Sequence, residues 1–170
     1  KHLIIIGGGV IGLELGQVYN RLGSKVSVIE YSDRITPFMD KDVSRELNKV
    51  LKKEGINFYL SHQVFEVKSD EKTVSVLAKN KKDEVISFDS DYCLVSVGRK
   101  PYTQGLNLEK IGVKLDSKGR ININERFETS IEGIYAIGDV VRGTMLAHKA
   151  EEEGIAVAEL ISGQKPHINY

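Results

Sequence analysis

The chain has 170 residues, a length that suits one domain or one domain with part of another. Hydrophobic residues make up 41% and charged residues 28%, enough apolar material for a core beneath an ordinary polar surface. Basic and acidic side chains balance at 24 each, and no run approaches the roughly 20 apolar residues of a membrane span; neither nucleic acid nor a membrane is therefore expected as a partner.

The one cysteine, Cys93, lies in the apolar run YCLVSVG, so this sequence holds no intrachain disulfide and no dithiol redox pair. A cysteine in such a strand is expected to act as a small hydrophobe. His2, His62 and His167 show no ligand spacing, and neither a catalytic residue nor a metal site is assigned in this chain. A cytoplasmic setting is the matching expectation. The start at Lys1, directly on a strand and without a charged-then-apolar leader, reads as part of something longer.

In chain order, HLIIIGGG is a continuous β-branched run ending in glycines, as a parallel strand buried on both faces requires. A helix is predicted from Val10, with Ile11, Leu15, Val18 and Leu22 on one face and Gly23 as its stop. KVSVIE is the second strand and ends in Glu30. Asp40 is a good N-cap for a second helix, whose face carries Val43, Leu47, Val50 and Leu51 and whose end is Gly55. INFYL is a third strand. Residues 2–60 thus read β-α-β-α-β, a parallel sheet with right-handed crossovers.

The pattern then changes. QVFEVKS, TVSVLAK and EVISFDS, separated by polar turns, predict an antiparallel meander hung on the sheet, and DYCLVSVG predicts a strand rejoining it. Residues 99–120 read as a connection out of this domain. GIYAIGD is predicted as one more buried strand and LAHKAEEEGIAVAELISG as one more helix, with Glu151, Glu152 and Glu153 on its solvated face. The domain reading is 1–118 for the first domain and 119–170 for an incomplete second one.

Gly7, Gly9 and Gly12 form G-x-G-x-x-G between a strand and a helix, with Glu30 about twenty residues on, at the end of the next strand. That context points to NAD. Gly7 permits the tight turn, Gly9 lets the backbone approach a pyrophosphate on the helix N-terminus, and Gly12 lets helix and strand pack closely. Gly8, Val10, Ile11 and Leu13 complete the candidate loop. Glu30 would accept hydrogen bonds from the adenosine ribose and repel a 2′-phosphate; EYSDR offers no basic residue before Arg34, so NAD is favoured over NADP. Glu14 has two readings of equal weight, a charge favourable to the helix dipole or a group facing the nicotinamide.

The segments IIIGGGVIGLELG, VSVIE, LVSVGRKPYT, TSIEGIYAIGD and MLAHKAEEEG, in this order over nearly the whole chain, resemble the pyridine nucleotide–disulfide oxidoreductase family. The last of them is most similar to its dihydrolipoamide-oxidising branch. The resemblance implies a second cofactor, FAD. Asp139 would bond the flavin's ribityl chain, and Met145, Leu146, Ala147 and His148 would set backbone amides and a helix N-terminus against the flavin ring. It also implies Val64 beside the adenine, Gly98 beside the ribose, and Glu14 near the nicotinamide. Asp139 has a second reading, as a charge at the N-terminus of the last helix.

The resemblance to the dihydrolipoamide-oxidising branch implies electron transfer from dihydrolipoamide through an active-site disulfide and FAD to NAD⁺. It implies a parent enzyme that is a homodimer and a component of 2-oxo acid dehydrogenase complexes, in the mitochondrial matrix if the source is eukaryotic. This sequence has no second G-x-G-x-x-G and no Cys-x4-Cys, and it lacks the branch's His–Glu pair. The expectation is an NAD domain followed by half of an FAD domain, inactive alone. The helix face Ala150, Gly154, Val157 and Ile161 needs a partner, so self-association is expected. The alternatives are another FAD/NAD(P)-dependent disulfide reductase or NADH oxidase, a stand-alone NAD-binding module without chemistry, and, less well matched, a Rossmann-like methyltransferase.

Overall fold

A computed structural model describes residues 1–166 and 168. The chain divides into two compact units, Lys1–Gly98 and Arg99–Tyr170. The expected boundary at 118/119 falls inside the second unit. Residues 99–118 are part of that unit's own core, because Val113 shares a buried cluster with Ile121, Ala136 and Val141, joined by Leu108 and Leu115. His167 lies outside the described residues.

The first unit contains β1 (His2–Ile6), α1 (Val10–Arg21), β2 (Lys25–Glu30), α2 (Lys41–Lys53), β3 (Asn57–Leu60), β4 (Gln63–Ser69), β5 (Val74–Lys79), β6 (Val85–Ser90) and β7 (Tyr92–Val95). Strands β3-β2-β1-β7 form a parallel sheet and β4-β5-β6 an antiparallel one. This is the α/β class expected, with the meander in its expected place. The alternation of β1 explains the layers. Leu3 and Ile5 join Val26, Val28, Ile35, Leu51 and Ile56 in one core, while Ile4 and Ile6 join Ile29, Val76 and Ala78 in the other. The meander therefore covers the sheet face opposite that core.

Both helices start and stop where the sequence places them. Asp40 caps α2 by accepting from the Asp42 amide at 2.8 Å, and Gly23 and Gly55 follow α1 and α2 in the left-handed region. Their faces need correction. Ile11, Leu15, Val18 and Leu22 are exposed, and α1 instead buries Gly12, Leu13 and Gly16. A Cβ on Gly16 would lie 2.8 Å from Ile5 Cδ1, so α1 lies on β1 through its glycines, and larger apolar side chains are displaced outward. On α2, Leu47 and Leu51 pack while Val43 and Val50 are exposed.

The second unit is mostly irregular. Isolated bridges join Leu115 to Ile121 and Glu128 to Tyr135, and the final helix, α3, spans Ala147–Ile161. The strand expected over GIYAIGD does not form. Ala136 donates to the Phe127 carbonyl at 3.0 Å, and Gly138–Val140 closes into a 3-10 turn. A buried strand needs flanking ladders, and this segment has only short pairings with neighbouring loops. The predicted face of α3 is also displaced: its buried residues are Lys149, Glu153 and Ala156, not Ala150, Gly154, Val157 and Ile161.

Candidate functional site

The carboxyl ends of β1 and β2 build the first site. Gly7 takes φ +105° and donates to the Ile29 carbonyl at 2.9 Å, which turns the chain sharply off β1. A Cβ there would meet the Ser96 carbonyl at 2.5 Å. A Cβ on Gly12 would meet the Gly7 carbonyl and Ser96 Oγ, each at 2.5 Å. At Gly9 nothing lies within 4 Å of where a Cβ would stand. Gly9 also precedes α1 with no side-chain cap, leaving the leading helix amides without a side-chain acceptor. The loop is packed tightly at its first and third glycines and open at its second, the shape that an anion approaching the helix end requires.

Glu30 closes the loop from β2. It is 8% exposed, and its carboxylate accepts from the Gly8 amide at 2.6 Å and from the Ser32 amide at 2.7 Å. Each oxygen takes one backbone donor and keeps lone-pair capacity for another. The Thr36 amide donates to the Gly8 carbonyl at 2.8 Å, so the segment after β2 holds the loop from its far side. Arg34 is the nearest basic residue downstream, and its guanidinium donates to the Pro37 carbonyl at 2.6 Å within its own turn.

Val10 is half-buried, Leu13 is buried in the core, and Ile11 and Glu14 are exposed on α1. Glu14 lies beyond the first turn, which contains no acidic residue. The dipole reading of Glu14 therefore loses its basis, since that effect is confined to the first turn. Val64 is half-buried on β4 and packs on the second core, and Gly98 is exposed at φ +110° after β7. Burial raises the Cys93 thiol above its usual range, which opposes thiolate chemistry.

In the second unit, Gly138 is buried at φ +73° and Asp139 follows it half-buried, in the 3-10 turn. Among the described residues the Asp139 carboxylate makes no hydrogen bond. The turn precedes α3, whose N-cap is Leu146 and whose own first turn has no acidic residue. Met145 is half-buried, and Leu146, Ala147 and His148 are exposed around the helix start. Glu153, expected on a solvated face, is 2% exposed and paired with Lys149 at 2.8 Å.

Sequence reasoning missed three residues. Ser96 donates through its amide to the Ile6 carbonyl at 2.8 Å, and its hydroxyl lies 3.0 Å from that carbonyl and 3.2 Å from Gly7's. It fastens β7 to the glycine loop, and no local motif marks it. Lys149 and Glu153 carried a signal, an i,i+4 pair of opposite charge, but such a pair usually lies in solvent.

A family model described as pyridine nucleotide-disulphide oxidoreductase matches residues 1–154. The chain belongs to the pyridine nucleotide-disulphide oxidoreductase family. Among curated relatives, mitochondrial dihydrolipoyl dehydrogenase 2 of Arabidopsis thaliana is 47% identical over 171 aligned positions, covering 100% of this chain and 34% of the relative. Leghemoglobin reductase of Glycine max is 46% identical, with 100% and 33% covered. The chain thus spans about a third of the length of these oxidoreductases. Of solved structures, LpdA from Mycobacterium tuberculosis superposes with a TM-score of 0.85 at 26% identity, covering 99% of this chain and 36% of that one. The HOCl-induced flavoprotein disulfide reductase RclA from Escherichia coli gives 0.86 at 27%, covering 96% and 37%. These likenesses accord with the α/β class and with the order of motifs read along the chain.

Proposed function

We infer that the first unit binds NAD(H), that the second contributes part of an FAD site, and that both serve a dihydrolipoyl dehydrogenase. That enzyme passes electrons from dihydrolipoamide through flavin to NAD⁺. The observation that carries this reading is Glu30, a buried carboxylate fixed by two backbone amides beside an open glycine loop. Its remaining lone pairs suit the two hydroxyls of an adenosine ribose, and the space at Gly9 suits a pyrophosphate on the start of α1. A 2′-phosphate would meet that carboxylate, while Arg34, the basic residue that could neutralise it, is held in its own turn. NAD is therefore preferred over NADP.

The remaining assignments carry the family resemblance onto this geometry. Val64 and Gly98 flank the nucleotide, and exposed Glu14 is available to orient a nicotinamide. Asp139, without a hydrogen bond among the described residues, is an acceptor for a ribityl hydroxyl, and residues 145–148 offer the amides of the α3 start. Bound NAD⁺ and FAD supply the hydride and electron chemistry; this chain's residues bind and orient them. With Cys93 as its one cysteine, this sequence holds no disulfide relay of its own. The family resemblance suggests a homodimer within a 2-oxo acid dehydrogenase complex; a mitochondrial matrix location, if the source is eukaryotic, fits the mitochondrial naming of several relatives. Another flavoprotein disulfide reductase is the second reading, favoured by the RclA superposition. The higher identity to dihydrolipoyl dehydrogenases ranks it lower.

The test is a titration of the chain with NADH and NADPH, followed by nicotinamide fluorescence. NADH is expected to bind at least about tenfold tighter than NADPH, the scale of one hydrogen bond to a charged group. Glu30→Ala should remove that advantage by weakening NADH, and Glu30→Gln, which sets an NH2 against one of the two backbone donors, should narrow it by weakening NADH and relieving NADPH together. Equal affinity of the wild-type chain for both nucleotides would overturn the assignment.

A further inference from the structure

We propose that the buried ion pair Lys149–Glu153 is a positioning clamp for the Gly138–Asp139 turn, holding ready the carboxylate that the flavin reading assigns to FAD. The ligand rests on that reading; the clamp rests on the geometry of residues 137–153.

Lys149, Glu153 and Ala156 form the inward stripe of α3, at 7%, 2% and 2% exposure. Two charges on the inward face of a helix are a poor device for stability. Removing both from water is costly, and a well-packed apolar pair commonly does as well or better. What an apolar pair lacks is a donor and an acceptor. Here one pair supplies both to a single residue. Glu153 Oε2 accepts the Gly138 amide at 2.7 Å, while Lys149 Nζ donates to the Gly138 carbonyl at 3.3 Å. Lys149 Nζ also meets the two Glu153 carboxylate oxygens at 2.8 and 2.9 Å.

Gly138 needs this help. It is buried in the left-handed region, and a Cβ on it would stand 3.1 Å from Ala150 Cβ, so the turn sits directly on α3. The same lysine seats the next stretch of chain: a Cβ on Gly143 would meet Lys149 Cε at 2.7 Å. Lys149 thus touches both the turn that carries Asp139 and the loop that leads into Met145–His148. With the preceding peptide clamped, the Asp139 carboxylate is placed without a hydrogen bond of its own among the described residues, as a group awaiting an external donor must be. Lys149 and Glu153 are positioning residues that act through Gly138.

The experiment uses the 170-residue chain, with thermal unfolding, amide hydrogen exchange at Gly138 and FAD titration by flavin fluorescence. Lys149→Met and Glu153→Leu are each expected to lower the Tm, because each removes one side of a buried ion pair. The double variant should regain most of that Tm, yet exchange Gly138 at least tenfold faster than wild type and bind FAD at least tenfold more weakly. Lys149→Met/Glu153→Gln restores an acceptor without a charge and should recover Gly138 protection; it decides the matter if the apolar double variant does not fold. Wild-type protection of Gly138 in the folded apolar double variant, or no recovery with glutamine, overturns the clamp. Asp139→Asn should weaken FAD without changing Gly138 exchange. If the wild-type chain takes up no FAD, the flavin reading falls, and Gly138 exchange alone still decides the clamp.

Discussion

Two alanine substitutions in one glycine motif should have opposite signatures. At Gly12 a new Cβ would stand 2.5 Å from the Gly7 carbonyl and Ser96 Oγ and 3.0 Å from Ile5 Cγ2. One of these neighbours is backbone, so α1 has to move off β1. Overpacking of this kind costs about 1–3 kcal/mol. For a unit of this size that lowers the Tm by roughly 4 °C or more. At Gly9 the new methyl meets nothing within 4 Å, and φ −79°, ψ 176° is comfortable for alanine. Stability should hold or rise by about 0.4–1 kcal/mol, because alanine restricts the unfolded chain more than glycine does. The methyl nevertheless fills the space assigned to a pyrophosphate. Gly9→Ala should therefore weaken NADH at least tenfold at an unchanged or raised Tm, whereas Gly12→Ala should lose stability and binding together. Differential scanning calorimetry and nicotinamide fluorescence on the same samples read both quantities. Wild-type NADH affinity in Gly9→Ala would refute the pyrophosphate seat. A wild-type Tm in Gly12→Ala would refute the packing account of α1.

Ser96→Ala removes a hydroxyl lying close to the Ile6 and Gly7 carbonyls. It should cost about 1 kcal/mol and raise the amide exchange of Gly7 more than that of the meander, measured by mass spectrometry. Asp116 is held below the ordinary aspartate range by the Arg120 amide first, then by the Arg120 side chain and the Lys118 amide. A depressed folded-state value means a contribution present above the unfolded value and lost as pH falls through the folded one. The Tm gap between wild type and Asp116→Asn should thus persist at neutral pH and close below about pH 4. A gap that instead widens on acidification would reverse the sign of that assignment.

The parallel sheet was legible because buried parallel strands are written as unbroken apolar runs, and β1 and β2 are such runs. The glycine loop was legible because its steric demands are local. Helix faces were less so. The stripe Ile11, Leu15, Val18 and Leu22 has the period of a buried face, yet α1 packs through Gly12 and Gly16. Closeness of approach outweighed area there, and Gly-x-x-x-Gly was the available signal. GIYAIGD has the composition of a strand, but strand formation is decided by neighbours, and the loops around it provide only single bridges. Glu153 was misread for a related reason: three adjacent glutamates look like one solvated face, although helical geometry turns one of them inward.

The two candidate sites face one physical problem and solve it differently. Each must leave polar groups ready for a ligand while the surrounding backbone stays satisfied. In the first, the backbone itself supplies the donors: α1 begins without a side-chain cap, and rigidity comes from glycines packed against β1 and Ser96. On the proposed reading Glu30 does double service there, since the carboxylate proposed to meet a ribose is also the acceptor that fixes Gly8. In the second, these duties are divided. On the proposed reading Asp139 is the offered carboxylate, while Glu153 fixes the turn, with Lys149 compensating its buried charge. The division has a consequence that separates the sites. Neutralising Glu30 should disturb binding and loop order together, whereas Asp139 can be neutralised with its turn intact. A carboxylate relieved of structural work is the one whose removal reports on the ligand alone.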